Sequence, residues 1–173
     1  GLFWISLIVF PFFFGFGNFV ITLFSFKLFI SIFYLGAVFV FWKMSKNIIS
    51  VILFAFNPLV IIETLISVHN DIVMIFLILF SLFLFIKKKI FTPSLLFIMS
   101  ILIKYATILL APIFIYLIWK TIKREEVDWK NVYYLSSLLM LIGFLLSPIR
   151  EEIYPWYALW FLPFSFLVPN NKL

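Results

Sequence analysis

Apolar residues follow one another along this chain in unbroken stretches of helix length, at residues 2–16, 19–42, 48–67, 72–86, 90–119, 132–149 and 156–168, joined by short polar links. The stretches lack the two-residue alternation of a membrane β-strand, and they run too long for buried strands, so the pattern predicts helices. Helices apolar on every face have no wet side to offer water. Each crossing of a hydrocarbon core of about 30 Å takes roughly 20 apolar residues, which gives this length room for about six or seven passes. The expected fold is all-α: a polytopic transmembrane helix bundle, with residues 1–173 forming a single transmembrane domain.

Composition excludes a soluble alternative. Hydrophobic residues make up 66% of the chain and charged residues only 12%, against about 25% charged in soluble domains, so too little polar surface exists to face water. The net charge of +6 would point to nucleic acid in a soluble protein, but these lysines lie between apolar stretches, where they orient helices and meet membrane lipid. No nucleic-acid partner is expected. Cysteine is absent, which removes disulfides, thiolate metal sites and a cysteine nucleophile. The chain opens on Gly1 without a signal-peptide pattern, and an internal or C-terminal fragment of a longer membrane enzyme is expected.

Lysine placement sets the topology. Lys43 and Lys46, then Lys87, Lys88 and Lys89, then Lys120, Lys123, Arg124 and Lys130, and finally Lys172 mark cytoplasmic links by the positive-inside rule. The links at residues 15–18, 69–71 and 150–157 are poor in lysine and belong outside. This alternation requires residues 90–119 to begin and end on the cytoplasmic side, so the stretch must turn back midway. Two short half-helices meeting near Lys104, with Pro93 and Pro112 in them, form the one broken or re-entrant segment of the bundle. The alternative is a single long tilted helix with Lys104 snorkelling. The turn-back gathers Lys104, His69, Asn70, Asp71, Arg150, Glu151 and Glu152 at one surface.

Ionisable groups inside a membrane are costly, so each one present invites a reason. Glu63, Ser67, Asn70 and Asp71 follow helical spacing i, i+4, i+7, i+8, which predicts a polar stripe on one face, serving either a substrate cavity or helix pairing. His69, Asn70 and Asp71 can together bind sugar hydroxyls or, with help, a divalent cation, the one cofactor left open; an Asn-Asp pair also caps helices. Lys104 and Arg150 can hold phosphate, Arg150 having an ion pair with Glu151 or Glu152 as its plainer use. Tyr154, Trp156, Tyr157 and Trp160 offer faces that stack on sugar rings and equally suit an interfacial aromatic belt.

The order Asn57-Pro58-Leu59, Glu63, His69-Asn70-Asp71, Lys104 and Tyr154-Pro155-Trp156-Tyr157 with Trp160 resembles the membrane-embedded GT-C glycosyltransferases. Within them it is most similar to the bacterial polyprenyl-phosphate-mannose-dependent mannosyltransferases. The resemblance spans residues 48–164. It implies transfer of a hexose, mannose above all, from a polyprenyl-phosphate-linked donor to a glycan or glycolipid acceptor on the extracytoplasmic side of a prokaryotic plasma membrane. It also implies a catalytic carboxylate in a first large outer loop. No Asp or Glu precedes Glu63 here, so that residue is expected upstream of Gly1, with Asp71 as the catalytic candidate within the chain. Glu63, His69, Asn70, Lys104, Arg150, Tyr154, Trp156 and Tyr157 are the substrate-binding candidates. The rival reading is a polytopic transporter or lipid-linked-sugar flippase, in which charges would line a path through both leaflets.

Overall fold

A computed structural model describes residues 1–147, 152 and 154–168. The described residues form helices α1 (Leu2–Phe14), α2 (Phe19–Ser45), α3 (Ile48–Ala55) and α4 (Pro58–Ile61). A π-helical turn (Ile62–Ile66) leads to α5 (Asp71–Ile86) and α6 (Phe91–Ile103). A 3-10 helix (Tyr105–Leu110) precedes α7 (Ala111–Lys123) and α8 (Trp129–Leu146), and a second one (Pro155–Trp160) precedes α9 (Leu162–Leu167). No strand occurs among the described residues, as the unbroken apolar stretches predict.

Helix starts follow the short polar side chains. Asn18 accepts from the Val20 and Ile21 amides at 2.9 and 3.2 Å, Asn47 from Ile49 at 2.9 Å, Asn57 from Leu59 at 3.0 Å and Asp128 from Asn131 at 3.1 Å. Each supplies an acceptor to amides that lack a helical partner, which matters more where no water is at hand. Lys46 and Arg124 end α2 and α7 in the left-handed conformation, with φ of 52° and 57°.

Helix α5 is the centre of the bundle, with twelve of its sixteen residues buried. Helix α2 lies along it and approaches closely at Gly36, where an added Cβ would sit 2.8 Å from the Phe76 ring. Helix α6 returns antiparallel to α5, tied by the Ser81 hydroxyl donating to the Pro93 carbonyl at 2.6 Å. Proline is tolerated there because it stands in the first turn of α6.

The turn-back at Lys104 is present. Helix α6 ends at Lys104, which is extended (φ −151°, ψ 123°), and its ammonium lies 2.9 Å from Asp71, the first residue of α5. By Arg124 the chain has come back to the opposite end of α5, where Phe85, Ile86 and Lys88 share a cleft with Thr121 and Arg124. Residues 90–119 therefore leave and regain the lysine-rich end, and the single tilted helix is ruled out.

One expectation needs correction. The stretch at residues 48–67 is also broken: Pro58 starts a new helix after Asn57, and the axis bends by 47° between Ile48–Ala55 and Pro58–Ile66. Among the described residues, helices α2, Tyr105–Lys123 and α8 are long and apolar enough to cross a membrane, and the bent pair would make a fourth. Helices α1, α5 and α6 have 13, 16 and 13 residues, about 20–24 Å at 1.5 Å per residue, short of the hydrocarbon thickness.

Candidate active site at the Asp71 end of the bundle

Between the π-helical turn and α5 the chain reverses over four residues. The wide turn at Ile62–Ile66 closes with the Ser67 amide on the Ile62 carbonyl at 2.8 Å and the His69 amide on the Glu63 carbonyl at 3.0 Å. Val68 then takes φ of 62°. A β-branched residue in the left-handed region costs on the order of 1–3 kcal/mol, a strain the surrounding packing must hold. The reversal folds His69 back onto Glu63, with Nε2 of the imidazole 3.4 Å from a carboxylate oxygen. The polar stripe predicted from Glu63, Ser67, Asn70 and Asp71 does not form, because the π turn and the break at residues 67–70 interrupt the helical period.

Asp71 is wholly buried. One of its oxygens accepts from the Lys104 ammonium at 2.9 Å and from the Trp160 indole N–H at 2.5 Å; the other is buried without a hydrogen-bond partner among the described residues. The carboxylate caps no amide of α5, so the capping alternative fails. Lys104 completes its surroundings with aromatic faces, its nitrogen 4.4 Å from the Tyr157 ring centre and 5.0 Å from that of Trp160. A buried ion pair of this kind holds because the carboxylate accepts two hydrogen bonds and the ammonium meets π-faces, offsetting the loss of water.

The aromatic residues divide between two jobs. In the 3-10 helix Pro155–Trp160 side chains three apart eclipse one another, so Tyr157 and Trp160 share the face toward Lys104, their ring centres 4.4 Å apart. Trp156 points elsewhere and stacks on His69 at 3.9 Å, with Tyr154 stacked on its other face at 4.4 Å. The result is a column, Tyr154 on Trp156 on His69, standing beside the Asp71–Lys104 pair. His69 keeps about 29% of its side chain exposed and Lys104 about 25%, so both can meet a ligand. Asn70 is half-buried next to them, and its side chain makes no hydrogen bond among the described residues.

Of the residues singled out from the sequence, Glu63, His69, Asn70, Asp71, Lys104, Tyr154, Trp156 and Tyr157 come together at this end. Arg150 lies outside the described residues, as does Glu151. Glu152 is exposed. Trp160, expected as a stacking or belt aromatic, is a direct partner of Asp71; its spacing of three from Tyr157 is the signal for that face. Among the described residues no three of His, Asp and Glu gather as metal ligands would.

Beside Lys104 opens a cavity of about 340 Å³, walled by Tyr157, Trp160, Leu109, Gly143 and Leu146. A cation at the mouth of an apolar recess suits an anion attached to something greasy.

Residues 16–121, more than half of the chain, match a family model described as alpha-(1->6)-mannopyranosyltransferase, N-terminal domain (MptA_B family). No curated protein and no solved structure matches the chain.

Proposed function

The chain belongs to the alpha-(1->6)-mannopyranosyltransferase family, and on that premise we propose that the cluster at the Asp71 end is the place where mannose passes from a polyprenyl-phosphate donor to a hydroxyl of a glycan or glycolipid. Membership makes this a mannosyltransferase domain in a membrane protein. The observation that carries the finer reading is the pairing, at one end of the bundle, of a cation beside an apolar recess with an imidazole held by a carboxylate. That end lies opposite the lysine-rich links, which supports an extracytoplasmic reaction.

The roles follow from access. Asp71 is sealed from solvent and bound to Lys104 and Trp160, so within this chain it acts as a positioning residue that holds the ammonium at the recess. Lys104 neutralises the phosphate as the sugar leaves it. His69 is accessible, and with Glu63 on Nε2 its other ring nitrogen, unpartnered among the described residues, can take the acceptor's hydroxyl proton. The acceptor oxygen bonds to the anomeric carbon, the bond from that carbon to the phosphate oxygen breaks, and the lipid phosphate departs with the electron pair. Tyr154 and Trp156 fix the imidazole by stacking, and Asn70 offers an amide to a sugar hydroxyl.

The test uses the full-length protein in nanodiscs with polyprenyl-phosphate mannose and a mannose-containing acceptor. Replacing His69 with Ala is expected to lower kcat by about 10²–10⁴-fold, the range for losing a general base, and Glu63→Gln by less. Full turnover by both His69→Ala and Lys104→Ala would remove the site from this place.

A further inference from the structure

We propose that the cavity at the lysine-rich end of the bundle, between the end of α5 and the loop from α7 to α8, holds the zwitterionic head group of a membrane phospholipid. Its chemistry is that of phosphoethanolamine, a phosphodiester carrying a primary ammonium. The site is separate from the Asp71 end and stands without the mannosyl-transfer reading. Its volume is about 270 Å³, below the roughly 300–1,000 Å³ of pockets that bury drug-sized ligands. It therefore suits a head group and not a nucleotide or an oligosaccharide.

The same turn is built twice to make it. At the end of α5 the Lys88 amide donates to the Phe85 carbonyl at 2.8 Å and the Lys89 amide to that of Leu84 at 3.1 Å. At the end of α7 the Arg124 amide donates to the Thr121 carbonyl at 3.2 Å and the Glu125 amide to that of Lys120 at 3.0 Å. Each pair of bonds reaches back three and five residues, the closure that puts one residue in the left-handed region. Glycine takes that seat most easily, yet Lys88 and Arg124 occupy it, with φ of 56° and 57°. Both line the cavity, one from each side. A backbone cost accepted at both lips, each time for a cation, is the observation that carries the site.

The charges sort by partner. Lys87 sits over the Phe83 ring at 4.6 Å, Lys123 over that of Trp119 at 4.5 Å, and Lys120 donates to Glu125 at 2.8 Å. Lys88, Arg124 and Glu126 have no ion pair, side-chain hydrogen bond or ring contact among the described residues, and all three line the cavity. Two unpartnered cations and one unpartnered carboxylate match a ligand with a negative and a positive group. Lys88 and Arg124 take the phosphate, Arg124 as a fork, and Glu126 takes the ammonium. Thr121 gives its hydroxyl proton to the Leu117 carbonyl at 2.7 Å, so it turns only oxygen lone pairs to that ammonium. Glu125, the second carboxylate in the wall, is already committed to Lys120. Phe85, Ile86, Val127 and Trp129 make the rest of the wall apolar. A free phosphate compound has no use for that surface, whereas the glycerol and first acyl carbons of a lipid do, and tryptophan favours head-group depth.

The experiment titrates delipidated full-length protein in detergent with phosphatidylethanolamine, phosphatidylglycerol and phosphatidylcholine of identical acyl chains, and with water-soluble glycerophosphoethanolamine. Native mass spectrometry counts the bound molecules. Phosphatidylethanolamine is expected to bind about tenfold tighter than phosphatidylcholine, whose quaternary ammonium cannot donate a hydrogen bond to Glu126. It should also bind tighter than phosphatidylglycerol, which brings Glu126 no cation. Lys88→Gly and Arg124→Gly keep the turn, since glycine favours the left-handed seat. Each should weaken binding about tenfold without lowering the lipid-free thermal midpoint. Glu126→Gln should abolish the preference for ethanolamine over choline while phosphate binding persists. Equal affinity for the three lipids or tightest binding of phosphatidylglycerol in wild type, glycine variants that bind like wild type, or an ethanolamine preference that survives Glu126→Gln would each overturn the site. Glycerophosphoethanolamine binding as tightly as the lipid would overturn its membrane source.

Discussion

The two ends of the bundle each carry a lysine–carboxylate pair of nearly the same length, 2.9 Å for Lys104 and Asp71 and 2.8 Å for Lys120 and Glu125. Distance does not distinguish them, and their surroundings do. Asp71 is sealed, shares its bonded oxygen with an indole, and has a lysine that faces two aromatic rings. Glu125 stands in a loop with 42% of its side chain exposed, and the neighbouring lysines sit over exposed belt aromatics such as Trp119 and Trp42. Water can replace either partner of the second pair at little cost, but it cannot reach the carboxylate of the first. Charges at the lysine-rich end are open to exchange with solvent; charges at the other end are held in place, which is what a reacting centre requires.

The sharpest way to break that contrast is to take the lysine away from the buried carboxylate. Lys104→Met leaves Asp71 uncompensated and is expected to cost about 3–5 kcal/mol of stability, read as a lower thermal midpoint in detergent. Combining it with Asp71→Leu should recover much of the loss while activity stays absent. A single variant as stable as wild type would mean that the pair is not sealed in solution.

Much of this arrangement was readable because lysine spacing and apolar length are strong signals. The reversal at Lys104 followed from charge alternation alone, and the capping roles of Asn18, Asn47 and Asn57 suit short polar residues standing ahead of apolar runs. What escaped was local period. Nothing in the residues 62–66 announces a π turn, and one extra residue per turn removes the face on which Glu63 and Asp71 were expected to align. The left-handed Val68 was equally hidden, since a β-branched residue is the last choice for that conformation. The bond from Trp160 to Asp71 was hidden for a related reason: an α-helical period pairs Trp160 with Trp156, whereas the 3-10 period pairs it with Tyr157.

A smaller effect tests whether the indole belongs to the ion pair. Trp160→Phe preserves most of the apolar bulk and deletes the N–H that donates to Asp71. The expected loss is about 1.5–3 kcal/mol, typical of a hydrogen bond to a charged group, and it should largely vanish in the Lys104→Met/Asp71→Leu background. Additive losses would place Trp160 outside the network.

The smallest effect belongs to the exposed pair. The hydrogen bond from Lys120 is the main cause holding the Glu125 carboxyl below its ordinary 4.5, with the charges of Lys120 and Lys123 adding to it. A carboxyl whose pKa is depressed by folding adds stability above its unfolded value and loses it as pH falls through the folded one. Any contribution from this pair is thus present at neutral pH and gone in acid below 4.5. Glu125→Gln should leave the thermal midpoint at neutral pH within the scatter of replicate melts, and added salt should erase what difference there is. A drop comparable to that of Lys104→Met would show that burial does not separate the two ends.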